Sequence, residues 1–152
     1  MFRKWLAIFK KDTLMDKAYQ RSYKMLDFTH TMYLEAKESL RNKEDTEIKV
    51  NIYDRDAEIN RYEREVRRNV FNYLAVSGGE RLASGLILVS IIIDIERIGD
   101  YTKNIVELAM NHPGKLHGGY FEDQLVRVEA AVNDSFVQTR ECFQSGDSET
   151  AR

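Results

Sequence analysis

Glu96 and Asp100 stand four residues apart in the stretch Asp94-Ile95-Glu96-Arg97-Ile98-Gly99-Asp100-Tyr101, which closes an apolar run beginning near Leu82. On a helix this spacing stacks two carboxylates on one face, and like charges so placed destabilise it by roughly 0.2–0.5 kcal/mol when exposed. Burial raises that cost unless a cation or a hydrogen-bond donor lies beside them. A second polar stripe, Asp56, Asn60 and Glu63, recurs at i, i+4 and i+7, and Asn104 extends the first one. Carboxylates grouped with an amide are donors suited to a hard or borderline cation such as Mg, Ca, Mn or Fe. The alternative is a solvated acidic face, or one neutralised by Arg61, Arg64, Arg67, Arg97 or Lys103.

Positioning these stripes requires helices, and the sequence supplies four. The first is expected from about Thr13 to Arg41, with Leu14, Ala18, Met25, Phe28, Met32 and Ala36 near helical spacing. A polar break, Asn42-Lys43-Glu44-Asp45, separates it from a second helix over about Thr46 to Ala75. Ser77-Gly78-Gly79 supplies a turn in which glycine can take left-handed angles. The third helix, about Glu80 to Met110, is apolar nearly all round at its start, which predicts a central, buried position. A glycine-rich linker around Pro113 leads to a fourth helix over about Glu122 to Gln144.

Three helices of about thirty residues are each roughly 45 Å long. Joined by tight turns, they predict an all-α fold, an antiparallel up-down three-helix bundle. The expected units are an N-terminal amphipathic segment over 1–12, the bundle over 13–111, a linker over 112–121 and a fourth helical unit over 122–152. At an offset of 103, Lys37-Glu38-Ser39-Leu40 aligns with Arg140-Glu141-Cys142-Phe143. The fourth helix therefore either begins a second bundle or packs on the first three. Reflecting the chain about Gly78 sets Asp56 at the height of Asp100 and Asn60 at the height of Glu96. Spacing fixes height alone, not whether the two stripes face each other.

Composition removes several function classes. The 152 residues carry 23 Lys and Arg against 25 Asp and Glu, a net charge of −2. That balance argues against a nucleic-acid binder, which carries a basic excess. The single cysteine, Cys142, cannot form an intrachain disulfide, which fits a reducing cytoplasm. No apolar stretch reaches the ~20 residues that span a membrane, and no signal peptide is evident. There is no glycine-rich phosphate cradle and no Ser/His/Asp set. A metal held by carboxylates can in principle support hydrolysis, but no nucleophile or base stands apart from the ligand candidates, so an enzyme is not expected.

The stretch from Asp94 to Ile105, with its Glu-Arg-Ile-Gly-Asp order and the following Asn104-Ile105, resembles the signature helix of PhoU proteins, regulators of bacterial phosphate uptake. Asp56-Ala57-Glu58-Ile59-Asn60 resembles that family's other acidic motif. The resemblance covers about Leu14 to Met110 as one PhoU-like three-helix unit, with Glu122 to Arg152 similar to the opening helix of a second. It implies metal ions, iron or zinc, on the acidic motifs, with Glu96 and Asp100 the first ligand candidates, then Asp56 and Asn60, then Glu63. It further implies contact with a phosphate ABC transporter or a membrane sensor histidine kinase. The chain departs from the family pattern at Glu80-Arg81-Leu82, at Asn60 where an Asp is usual, and in lacking a second metal-bearing unit. The expectation is a truncated chain or a short homologue completed by a partner, and a homodimer rather than a monomer.

Other residues carry weaker signals. Phe2, Trp5, Leu6 and Phe9 recur at helical spacing among Arg3, Lys4, Lys10 and Lys11, a pattern for a helix lying on an anionic membrane surface or packed on the bundle or a dimer contact. The expected location is therefore cytoplasmic, with peripheral contact at the inner membrane face through residues 1–11. His112 and His117, five apart in the linker, are read as solvated, and Cys142 as a helix-face residue rather than a nucleophile. The aromatic residues follow helical spacing and are expected in the core. Two other readings stand beside the regulator: a metal-free helical adaptor and a metal-dependent hydrolase.

Overall fold

A computed structural model describes the backbone of residues 2–42, 51–77 and 82–145, with side chains from residue 14 onward. Four α-helices follow in order: α1 (Phe2–Arg41), α2 (Ile52–Ser77), α3 (Leu82–Asn111) and α4 (Glu122–Ser145). One 3₁₀ turn, Gly119–Phe121, precedes α4. The helices α1, α2 and α3 pack against one another as a bundle, and α4 contacts α1. The all-α architecture expected from the sequence is the one observed. The proposed Gly78-Gly79 turn and most of the 42–45 break fall outside the described residues, as do the side chains of the N-terminal amphipathic segment. The backbone of that segment continues into α1 as a single helix.

Each bundle helix buries one stripe at alternating steps of three and four residues, the spacing of helices packed at a shallow angle. On α1 the stripe is Met15, Ala18, Ser22, Met25, Thr29, Met32 and Ala36; on α3 it is Gly85, Leu88, Ile92, Ile95, Gly99, Thr102, Val106 and Ala109. The α2 stripe runs Ile52, Ile59, Val66, Val70, Tyr73 and Ser77. Its missing steps, at 56 and 63, are filled by Asp56 and Glu63, half-buried rather than buried. Two carboxylates thus sit on a seam that is otherwise uncharged. The hydroxyls in these stripes are satisfied within their own helices: Ser22, Thr29 and Thr102 each donate to the carbonyl four residues back, at 2.8–2.9 Å.

The central helix is α1, not α3. Besides its bundle stripe, α1 buries Leu26, His30 and Tyr33, residues lying one position beyond Met25, Thr29 and Met32 and so turned toward a second neighbour. By contrast Leu82, Leu86 and Ile87 at the start of α3 are 49%, 55% and 61% exposed. The all-round apolar pattern there marks an outer surface as well as a core. The expectation that aromatics lie in the core is likewise correct for Tyr33, Tyr73 and Phe136, but Tyr53, Phe71, Tyr101, Tyr120 and Phe121 are exposed.

The end of α3 follows from its sequence. His112 N–H closes the last turn onto Leu108 O at 2.9 Å. Pro113 has no N–H to continue the ladder, and Gly114 takes a φ of +82° that suits glycine. The linker then returns to the bundle: Leu116 N–H donates to Leu40 O at 2.9 Å, and Arg41 donates to Leu116 O at 2.8 Å.

Candidate functional site

The two acidic stripes do face each other, along the flank of the α2–α3 seam. Their meeting depends on Gly99, which lies against Ile59 and lets the two helices approach closely. One position beyond the buried Ile95 and Thr102 stand Glu96 and Lys103, with Asp100 between them. Lys103 Nζ donates to Asp100 Oδ1 at 2.8 Å and to Asp56 Oδ1 at 3.3 Å, joining carboxylates from two helices. Asn60 Nδ2 donates to Asp56, to the backbone carbonyl at 3.1 Å and to Oδ2 at 3.3 Å. Glu63 accepts from Arg67 at 3.0 Å. Asn104 is exposed.

Glu96 accepts no hydrogen bond from a described residue, unlike Asp56, Glu63 and Asp100, and its environment is unfavourable to charge. Burial pushes its carboxyl above the ordinary range, and Asp100, Glu63 and Asp56 push the same way, against Lys103. Three carboxylates on two helices therefore act on Glu96 in the same direction. Lys103 is shifted in the complementary sense. Its hydrogen bond to Asp100 and its attraction to Asp56 hold the ammonium in its charged form, above its usual value, against the opposing effect of burial.

The reflection about Gly78 places the elements well, but the partner it assigns to Asp56 is one helical turn off. Asp56 meets Lys103 rather than Asp100 directly; nearby, Tyr53 donates to Glu107 at 3.3 Å. Of the five cations weighed as neutralisers, Lys103 enters the groove, Arg67 holds Glu63 at its edge, and Arg61 and Arg97 pair with Glu58 and Asp94 on their own helices.

By type, Asp56, Asn60, Glu63, Glu96 and Asp100 are oxygen donors with surplus negative charge, the kind a hard or borderline cation takes. The Lys103 ammonium lies between carboxylates of α2 and α3. As they are arranged here, no three or more His, Cys, Asp or Glu side chains among the described residues stand close enough to hold an ion together. His112 hydrogen-bonds Gly114 O at 3.1 Å, and His117 is exposed. Cys142 is free and half-buried.

A second polar assembly, which the sequence did not single out, fastens α4 antiparallel to α1. Arg41 pairs with Glu122 and, at 3.1 Å, with Glu129. Tyr33 donates to Glu129 O at 3.2 Å, His30 Nε2 lies 2.9 Å from Asn133 Oδ1, and Arg140 meets Asp27 at 2.7 Å. Phe136, the buried residue of α4, stacks on His30 with ring centroids 4.7 Å apart. The Glu122 carboxyl is held below its ordinary range by Arg41 and by the Gly118 N–H. A pairing between helices distant in sequence leaves no local periodicity to read, although the abundance of charge on both faces is visible.

Residues 23–109 match the PhoU domain family, more than half of the chain, and take in both acidic stripes and most of the three-helix bundle. The chain belongs to the PhoU domain family. It matches no curated protein and no solved structure. This is a regulatory helical family, and the PhoU domain points to a role in regulating phosphate transport. No described helix is long and apolar enough to cross a membrane.

Proposed function

We propose that the chain regulates phosphate uptake and phosphate-starvation signalling without catalysing a reaction, by holding a metal ion on the acidic groove of α2 and α3 and presenting the bundle to a membrane partner. The observation that carries this reading is the meeting of the two acidic stripes across the α2–α3 seam, where Lys103 Nζ bonds Asp100 Oδ1 at 2.8 Å and Asp56 Oδ1 at 3.3 Å. Glu96 and Asp100 are the primary ligands, with Asp56, Asn60 and Glu63 completing the set from the facing helix. Iron or zinc is the ion of first choice by family, and Mg, Mn or Ca suits the oxygen donors. Bound there, the ion supplies positive charge that ties α2 to α3.

The partner is a phosphate ABC transporter or a membrane sensor histidine kinase, met at the inner membrane face. Supporting a protein partner is a groove of about 500 Å³ between α3 and α4, lined by Ile91, Ile98, Tyr101, Ile105, Val132 and Phe136. A second copy of the chain, forming a homodimer, is the other occupant this apolar surface suits. A metal-free adaptor is the second reading, favoured by the Lys103 bridge, which already neutralises part of the groove.

The test is complementation in a bacterial host lacking its own PhoU protein, with a phosphate-starvation reporter. Wild type is expected to repress the reporter in high phosphate, and Glu96→Ala/Asp100→Ala to leave it active at equal expression. Full repression by the double variant supports the adaptor instead.

A further inference from the structure

The structure assigns an anionic lipid surface to the face built around Arg68 and Phe71 of α2 and the flanks of α1 and α3 beside them. This inference rests on the membrane contact proposed above and is independent of the metal. The three stretches lie at one level of the bundle: Arg21 Nε pairs with Glu65 Oε2 at 2.9 Å, and Gly85 lies against Val70 and Leu74. Residues 14–24, 64–77 and 82–93 carry six lysines and arginines against two acids, although the whole chain has a net charge of −2. Over 25–41, 52–63 and 94–111 the same helices carry eleven acids against six lysines and arginines. The bundle is thus polarised along its length.

On one side of α2 a cleft of about 520 Å³ opens toward α1, with Lys17, Arg21 and Lys24 across from Arg68 and Asn69. Lys17, Lys24 and Arg68 have no ion-pair or hydrogen-bond partner among the described residues. On the other side a groove of about 450 Å³ toward α3 is lined by Phe71, Leu74, Leu86 and Val89 and bordered by Arg67 and Arg68. Phe71 is 71% exposed and Leu86 55%. Arg68 borders both hollows, so free cations and exposed apolar groups stand side by side on one face.

An anionic bilayer matches both halves of that mixture. Its phosphates meet the cations, whose long stems let the charged heads stay at headgroup level while Phe71 and Leu86 go deeper. Interfacial apolar side chains reach ~5–10 Å into the headgroup and acyl boundary. A nucleic acid would meet the cations but leave the apolar groove uncovered. The segment that the sequence reads as amphipathic, 1–12, runs directly into this half of the bundle as part of α1. Seated on the basic half, the bundle carries its acidic half away from the anionic surface.

The experiment is sedimentation of the full chain with vesicles of mixed phosphatidylglycerol and phosphatidylcholine, and with vesicles of phosphatidylcholine alone. Wild type is expected to bind the anionic vesicles at least tenfold more tightly. Lys17→Gln/Lys24→Gln/Arg68→Gln should lose at least tenfold of that affinity, since each cation near the surface contributes separately. Phe71→Ser/Leu86→Ser should weaken binding at low and at high salt, because screening acts on the charges alone. Lys37→Gln/Arg61→Gln/Arg97→Gln, which removes as much charge from the acidic half, should bind as wild type does. Equal losses in the two triple variants, or none in either, overturn this face and leave membrane contact through another surface standing. Release of wild type by inorganic phosphate, at an ionic strength where potassium chloride has no effect, overturns the lipid in favour of a free anion. Wild type that sediments with neither vesicle overturns the lipid assignment and direct bilayer contact together, and leaves an acidic protein as the partner of this face.

Discussion

Gly99 lies so close to Ile59 that a Cβ built on it would come within 2.6 Å of Ile59 Cδ1. The glycine inside the acidic motif thus sets the separation of α2 and α3, and with it the distance between Asp56 and the Lys103–Asp100 pair. Its neighbours carry charge, but its own contribution is the absence of a side chain.

That contact is testable by a double-mutant cycle. Gly99→Ala gains about 0.8–1.0 kcal/mol of helix propensity but overpacks a buried Ile, at about 1–3 kcal/mol, so a net loss of about 1 kcal/mol is expected. Ile59→Val deletes the clashing methyl group and alone costs about 0.5–1.5 kcal/mol. Combined, the two should interact favourably, the double variant being more stable than the sum of the singles by about 1 kcal/mol. Urea denaturation measures all four proteins. Additivity within about 0.5 kcal/mol would show that the approach is not limited by this pair.

The raised Glu96 carboxyl makes a prediction of definite sign for the metal-free protein. A group whose folded pKa lies above its unfolded value binds more protons in the native state, so stability falls as pH rises from the ordinary carboxylate range through the raised folded value. The groups acting on Glu96 are Asp100 and Lys103 on its own helix and Glu63 and Asp56 on α2. Glu96→Gln removes the ionisation, and should stabilise the metal-free protein at pH 7 by under about 1 kcal/mol, a scale fitting a partly exposed charge. At pH 4 the gain should vanish. Thermal melts in the presence of a chelator, from pH 4 to 8, provide the comparison, and a destabilised Glu96→Gln at pH 7 would contradict the placement of those carboxylates.

Much of this site was legible before the structure because α2 and α3 are neighbours joined by a short connection. Helical spacing put Glu96 with Asp100 and Asp56 with Asn60, and antiparallel reflection brought the pairs to similar heights. The close approach at Gly99 was not legible, since a glycine within a helix does not say what it faces. Nor was the choice of Lys103 over four arginines, because side-chain reach decides it: Arg61 and Arg97 find carboxylates on their own helices. The bounds of α4 were legible, about Glu122 to Gln144 against Glu122–Ser145 observed, but its docking on α1 was not. Its partners on α1, such as His30 for Asn133, lie about a hundred residues away, and its one buried residue, Phe136, leaves almost no apolar stripe.

The thin attachment of α4 predicts independent opening. Phe136→Ala removes the buried ring that stacks on His30 and packs near Tyr33. Amides of α4 are expected to exchange with deuterium at least tenfold faster, with protection in α1 to α3 retained because their core stripes are untouched. Uniform loss of protection over all four helices would show instead that α4 is cooperative with the bundle.

Acid should loosen the same attachment at its polar end. Glu122 is held below the ordinary carboxylate range by Arg41 and Gly118. Its contribution is therefore present above the ordinary carboxylate value and lost as pH falls through its lowered folded value. In Arg41→Ala the α4 N-terminus should lose protection already at neutral pH, the loss expected of the wild type only in acid. Protection of residues 116–129 that is unaltered by Arg41→Ala would remove Arg41 from this role.

Elemental analysis of the gently purified chain, beside Glu96→Ala/Asp100→Ala prepared identically, bears most directly on the groove as a metal centre. The expected result is near-stoichiometric iron, zinc or manganese in the wild type and its loss in the double variant, with both proteins equally helical by circular dichroism. Equal metal content in the two, or none in either after supplementation with each metal, would contradict it.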